Sequence, residues 1–301
     1  MKIVLLGKSG QVGRELERAL RPLGTVVACD RSQADLEQPD GVRAVLRREA
    51  ADVVVNAAAY TAVDRAESEP DRARRINAEA VAVIAAEVAA RGGWLVHYST
   101  DYVFDGTKSG GYVEADATGP LNVYGSTKLE GERAIAASGC RHLIFRTSWV
   151  YAAHGSNFVR TILRLLQERP ALSVVDDQIG APTSAARIAD VTAGIVRGLG
   201  GRKREPPVGG LYHLAPSGET SWHGFAAFIA AAARAGGLPL RVAPEEIAAI
   251  PSSAYPQAAR RPANSRLDTT RLRDTFGIDL PPWQDDVRQV LATLLPNANA
   301  T

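Results

Sequence analysis

Hydrophobic positions along the chain fall into short continuous runs separated by longer segments of helical periodicity. Residues 2–6 (KIVLL) are apolar after the lysine and stop at Gly7, the pattern of a strand buried on both faces. A helix-like segment follows from about residue 10 to residue 20. Further runs predict strands at 25–28, ending at Asp30, at 52–55, leading into Asn56-Ala57-Ala58-Ala59, at 94–99 and at 142–146. Residues 70–91 carry one long alanine-rich helical pattern, and helices fill the other intervals.

Strands alternating with helices imply βαβ units, and therefore an α/β protein with a doubly wound parallel sheet covered by helices on both faces. Such sheets bind ligands beyond the carboxyl ends of their strands. Several polar or glycine-rich segments fall there: the glycine turn after the first strand, Asp30 after the second, Asn56 after the third, Thr100 after the fourth and Thr147-Ser148-Trp149 after the fifth. Beyond about residue 150 the pattern loosens, and Gly and Pro become frequent at 199–218 and 236–262. This predicts a dinucleotide-binding domain over 1–150, with later elements (about 172–198 and 211–230) interleaved into it. Residues 151–301 then form mainly a smaller α/β substrate-binding lobe.

Composition narrows the picture little. The chain has 301 residues, ample for such a core, with a net charge of +2. That charge argues against nucleic acid or a membrane surface as partner. The basic run Arg202-Lys203-Arg204 reads as a solvated loop, and residues 296–301 as a frayed end. Cys29 and Cys140 each border an apolar stretch and read as small core residues. The five histidines are scattered, without metal-ligand spacing. No stretch reaches the roughly 20 apolar residues of a membrane span, and the four apolar residues before Gly7 are too few for a signal-peptide core. The expected compartment is the cytoplasm.

The chemistry is carried by two features. Gly7, Gly10 and Gly13 form a turn between strand and helix in which the backbone can approach a pyrophosphate, with helix N–H groups and the dipole facing it. Asp30 lies 20 residues beyond Gly10, where a carboxylate can accept from the adenosine ribose hydroxyls; neighbouring Arg31 can instead hold a 2′-phosphate, so NADH and NADPH both stay open. The second feature is Tyr124 with Lys128 one helical turn on, and Thr100 lying 24 residues upstream of the tyrosine. A free tyrosine has a pKa near 10; an ammonium on the same helix face favours the phenolate and is expected to lower it. Tyr124 would supply a proton, Lys128 would also hold the nicotinamide ribose, and Thr100 would polarise a carbonyl while hydride arrives from the nicotinamide.

The segments GKSGQVG (7–13), VNAAAYTAVDRAESEP (55–70), HYSTDYVFDG (97–106), PLNVYGSTKLEGE (120–132) and RTSWVY (146–151) resemble the extended short-chain dehydrogenase/reductase superfamily, whose fold is Rossmann-type. Within it they are most similar to the dTDP-4-dehydrorhamnose reductase family, as are DDQIGAPTS (176–184), LYHLAPSGETSW (211–222) and RRPANSRLD (260–268). The resemblance implies NAD(P)H-dependent reduction of the C4 ketone of dTDP-4-dehydro-L-rhamnose, a step towards cell-surface polysaccharide. It implies catalytic roles for Tyr124, Lys128 and Thr100. Cofactor contacts would come from Gly7, Gly10, Gln11, Val12, Asp30, Asp35, Leu36, Ala59, Tyr60, Thr61 and Tyr98, with Tyr124 and Lys128; Val12 and Leu36 also suit plain packing. Sugar-nucleotide contacts would come from Thr100, Asp101 and Trp149, and Arg260, Arg261 and Arg266 are candidates for the diphosphate. Asp64 and Glu67 read as helix-start charges that support the fold.

Some members of the family dimerise through magnesium held by glutamates. Glu15 matches one such position, but Arg187 and a residue such as Thr293 stand where the other carboxylates would be. A cation site so depleted would be weak. The expectation is therefore a monomer or weak homodimer, with no metal needed for hydride transfer. Two alternatives share the sequence features: another nucleotide-sugar epimerase or dehydratase of the superfamily, and a non-catalytic NADP-binding regulatory subunit resembling the β subunit of methionine adenosyltransferase.

Overall fold

The computed structural model describes residues 1–199 and 209–295. The basic run at 202–204 and the segment 296–301 lie outside the described residues. The five expected strands are present: β1 (Lys2–Leu6), β2 (Thr25–Cys29), β3 (Val53–Asn56), β4 (Trp94–Thr100) and β5 (Arg141–Thr147). A sixth, Gly210–His213, pairs with β5. All run parallel, in the spatial order Gly210–His213, β5, β4, β3, β1, β2. The architecture is the Rossmann-type α/β sheet expected from the alternation of strand and helix.

Side-chain alternation along β1 shows why its apolar run is continuous. Ile3 and Leu5 enter the core on one face, with Leu16 and Leu20 of helix Gln11–Leu20 and Ile188 and Val196 of helix Ala185–Leu199. Val4 and Leu6 enter the core on the other, with Val45, Leu46, Ile84, Val88 and Ile135. A strand buried on both faces has no polar side to show. A third apolar cluster stands apart from the sheet. Helices Phe158–Glu168, Trp222–Ala235 and Trp283–Leu294 build it around Tyr151, Phe225, Ile229, Trp283 and Val287. The stretch 211–230 is thus divided: its start lies in the sixth strand and its end in this cluster. In the stretch 172–198, Ser173–Val175 pairs with Ala248–Ile250, whereas Ala185–Leu199 packs with the sheet.

One element departs from its sequence pattern. The helical segment expected at 70–91 is present, but between Pro70–Arg74 and Ala80–Arg91 it widens into a π-helical turn, Arg75–Glu79. The wider turn presents Asn77 to two neighbours. Its side chain accepts the Tyr60 N–H at 2.9 Å and donates to the Tyr60 carbonyl and to Thr127 Oγ1, both at 3.1 Å. Its backbone carbonyl lies where a Cβ at position 131 would sit, so glycine there lets helix Val123–Ala137 press against the turn. π-turns of this kind recur at functional sites, and here the turn seats the helix that carries Tyr124 and Lys128.

Candidate active site

The carboxyl ends of the strands open onto a cavity of about 620 Å³. At one end lies the glycine turn. Gly7 holds φ at +85°, and a Cβ there would come within 2.7 Å of the Ala58 backbone nitrogen, so the position is closed to any side chain. Helix Gln11–Leu20 starts at Gly10 with no side-chain cap, so its first N–H groups are free to meet an anion. Gly7, Gly10, Gln11 and Val12 all line the cavity. Uncapped amides at the head of a ten-residue helix, beside an apolar slot made partly by Leu36, Ala57 and Ala59, fit a dinucleotide.

At the other end, β4 and helix Val123–Ala137 converge. Thr100, Asp101, Tyr124 and Lys128 share this wall with Tyr98, Thr147 and Trp149. Asn122 starts the helix by accepting the Gly125 N–H at 2.8 Å, while its amide donates to the Arg260 carbonyl at 2.8 Å. Glu67 adds an acceptor for the Val123 N–H at 2.8 Å. Lys128 is buried, and its Nζ donates to the Tyr98 carbonyl at 2.6 Å and lies 3.3 Å from His97 Nε2. Burial pushes the amine down to about 8. Tyr124 departs from the expected direction. Burial pushes its phenol up to about 12, and the nearby Thr100 hydroxyl offsets only part of that. Desolvation of the phenolate outweighs any lowering by Lys128, so the group is held as a protonated acid. Burial also pushes Asp101 up to about 7 against the pull of Ser265 and Thr100, whose hydroxyl donates to Asp101 Oδ1 at 3.1 Å.

Asp35, Ala59 and Thr61 also line the cavity, but Asp30 and Tyr60 do not. Asp30 is engaged beside it: Oδ1 accepts from the Ser32 N–H at 3.0 Å and hydroxyl at 2.6 Å, and Oδ2 pairs with Lys8 at 3.2 Å. Its neighbour Arg31 is on the wall instead. Tyr60 is turned into a small cluster with Ala66 and Ala73, where its hydroxyl donates to Glu69 at 2.9 Å. The three arginines separate. Arg266 is tied to Glu219 at 3.1 Å and to Asn264 Oδ1 at 2.8 Å. Arg260 is exposed. Arg261 grips Asp64 with both terminal nitrogens, at 2.6 and 2.7 Å, on the wall of a second cavity of about 440 Å³.

Trp222 is a site residue that sequence reasoning passed over. It stacks on Trp149 and lines both cavities. Nothing local marks it, because it begins a helix 73 residues beyond its partner. Among the described residues no group of three or more His, Cys, Asp or Glu is placed to hold a metal. Glu15 pairs with His154 at 3.0 Å and Arg18 at 3.4 Å, and Arg187 pairs with Asp286 at 2.7 Å. Cys29 and Cys140 are buried free thiols, and no helix among the described residues is long and apolar enough to cross a membrane.

A glycine turn at the head of the first helix, with a Thr-Tyr-Lys set across one cavity of a doubly wound sheet, defines a nicotinamide-dependent oxidoreductase of the extended short-chain type. The family model described as the RmlD substrate binding domain matches residues 1–295. The dTDP-4-dehydrorhamnose reductase of Escherichia coli K12 is 50% identical over 298 residues, 98% of each chain. That of Burkholderia thailandensis is 52% identical over 301 residues, covering 98% of this chain and 99% of its own. Among solved structures, the dTDP-4-dehydrorhamnose reductase of Bacillus anthracis in complex with NADP superposes with a TM-score of 0.88 at 30% identity, covering 97% of this chain and 99% of that one. The chain belongs to the dTDP-4-dehydrorhamnose reductase family.

Proposed function

We propose that this chain reduces the C4 ketone of dTDP-4-dehydro-L-rhamnose to the alcohol of dTDP-L-rhamnose, using NADPH or NADH, and so supplies a precursor of cell-surface polysaccharide. The observation that carries this reading is the convergence of Thr100, Tyr124 and Lys128 on the cavity that also holds the glycine turn. The bound nicotinamide supplies the hydride. Tyr124, kept protonated by burial, gives its phenolic proton to the ketone oxygen as negative charge develops there. Thr100 turns its hydroxyl from Asp101 to the same oxygen and polarises the carbonyl. Lys128, with one N–H on the Tyr98 carbonyl, keeps its remaining donor capacity for a ribose hydroxyl and for the phenolate left on Tyr124. Trp149 offers its ring to the sugar face.

Arg31 is on the wall but is paired with Asp35 at 3.2 Å and with Glu37, just as Asp30 is held by Lys8 and Ser32, so a 2′-phosphate and free ribose hydroxyls would each have to displace an existing partner. The test is an assay with dTDP-4-dehydrorhamnose and either NADPH or NADH. The expected result is loss of reduced-nicotinamide absorbance in equal measure with product. A cofactor that stays bound and is regenerated without net consumption would instead make this an epimerase-like enzyme.

A further inference from the structure

His97 lies on β4 next to Tyr98 with none of its surface exposed. Its two ring nitrogens face two different nitrogen groups. Nδ1 is 3.2 Å from the side-chain amide nitrogen of Asn56, and Nε2 is 3.3 Å from Lys128 Nζ. A neutral imidazole has one acceptor nitrogen and a protonated one has none, so the ring cannot accept from both. Asn56 decides which. Its amide oxygen accepts the Ala58 N–H at 3.2 Å, which fixes the amide nitrogen towards His97. Nδ1 is then the acceptor, and the ring proton sits on Nε2, aimed at Lys128. Burial, helped by the charge of Lys128, keeps the imidazole from taking a second proton. A neutral lysine amine suits this arrangement: it donates to the Tyr98 carbonyl at 2.6 Å and receives Nε2–H on its lone pair. An ammonium has no lone pair and meets that N–H head-on.

We propose that His97, oriented by Asn56, is a positioning residue that tunes Lys128 by presenting Nε2–H to the lysine nitrogen and weakening its hold on the third proton. Burial already brings the amine down to about 8, and the N–H adds to that, favouring a lysine between its charged and neutral forms that can pass a proton to the phenolate on Tyr124 and be recharged. Beyond burial itself, the neighbouring side chains do not supply this tuning. Glu132, one turn further along the same helix, favours the ammonium and is itself tied to Arg146 at 2.9 and 2.7 Å. Asp101 and Tyr102 follow β4, Tyr124 shares the helix, and Asn77 on the π-turn is taken up by Tyr60 and Thr127. Arg74 pairs with both Glu79 and Glu130 on the exposed side.

The inference rests on the role given to Lys128 above, and its test separates the two. The chain has five lysines, so the Lys128 Nζ signal can be followed by nitrogen-15 NMR in the free protein. His97→Leu removes the N–H. Asn56→Asp keeps an acceptor for Ala58 but draws the ring proton to Nδ1, turning Nε2 into an acceptor for the ammonium. Both variants are expected to raise the Lys128 titration midpoint by about one pH unit or more, and to move the alkaline limb of the kcat profile the same way. If His97→Leu does not fold, His97→Phe, which keeps a ring without the N–H and adds no charge, carries the test, because the new carboxylate of Asn56→Asp would raise the midpoint by its charge alone. A midpoint that stays put or falls, in a wild-type protein that turns over the ketosugar, overturns the tuning by His97. Absence of ketosugar turnover in the wild type, with the midpoint still moving in the variants, overturns the role of Lys128 and leaves the tuning standing.

Discussion

Trp149 stacks on Trp222 with ring centroids 3.7 Å apart and planes 13° from parallel, and it reaches that position from a backbone φ of +48°. A left-handed backbone at a bulky residue costs on the order of 1–3 kcal/mol and persists only where the surroundings hold it. Gly180 is part of that hold, since a Cβ there would come within 2.7 Å of the indole. Trp222 borders the catalytic cavity on one side and the Arg261 cavity on the other. On the function proposed above, a sugar with a nucleotide attached would lie along this pair, with Trp222 on the wall of both cavities.

Trp222→Ala should leave Trp149 without its backing. Aromatic pairing of this kind contributes about 0.5–1.5 kcal/mol beyond buried area. KM for the ketosugar is expected to rise about 2–10-fold, with kcat close to that of the parent. Steady-state kinetics at saturating NADPH measures both. An unchanged KM would leave the stack a packing feature with no share in substrate binding.

The direction of the Tyr124 shift shapes a second expectation. With burial holding the phenol up to about 12, the residue stays protonated across the neutral range, as the proposed acid role requires. Tyr124→Phe should lower kcat by about 10²–10⁴-fold, while NADPH affinity, read by fluorescence titration, stays near the parent value. Retention of most of the turnover would remove the proton-donor role.

How much of this was legible in the chain follows from the range of each interaction. The strands and the glycine turn could be read because their signals are local: an apolar run, a glycine, a helix start. The Tyr124 and Lys128 pair could be found because a four-residue spacing fixes a shared helix face. Three features could not be read, and each depends on a partner distant in sequence. The π-turn at Arg75–Glu79 exists against Gly131 and Thr127. Tyr60 turns away from the cavity because Asn77 and Glu69 hold it. The raised Tyr124 reflects a burial that only the assembled fold produces, which a spacing rule based on Lys128 leaves out.

Asp101 links the site to stability. Its carboxyl is pushed up to about 7 by burial, against about 3.9 in an unfolded chain. The folded state therefore binds the proton more tightly, and this group's contribution to stability is full below pH ~4 and is lost as pH rises towards ~7. Asp101→Asn removes the titration while keeping an oxygen for the Thr100 hydroxyl. Its stability relative to the parent should climb between pH ~4 and ~7 by up to about 4 kcal/mol, then level off. Urea unfolding at a series of pH values checks this; a difference that is flat with pH would mean that Asp101 is not held protonated.

The glycine turn separates folding from binding when two of its members are compared. At Gly10 an added Cβ would meet only the Gly7 carbonyl oxygen, at 3.4 Å, and the backbone (φ −74°, ψ 171°) is open to alanine. Gly10→Ala should fold with stability within about 0.5 kcal/mol of the parent. The new methyl nevertheless stands at the helix start where a phosphate must approach, so NADPH affinity should fall at least about tenfold, or roughly 1.4 kcal/mol. At Gly13 the added Cβ would overlap the Gly7 carbonyl itself and press on Lys8. Gly13→Ala should cost about 1–3 kcal/mol of stability through overpacking and lose cofactor affinity as well, because the turn must move to make room. Urea unfolding and NADPH titration on both variants decide the matter: equal affinity for NADPH in Gly10→Ala and the parent would place the pyrophosphate somewhere other than the head of this helix.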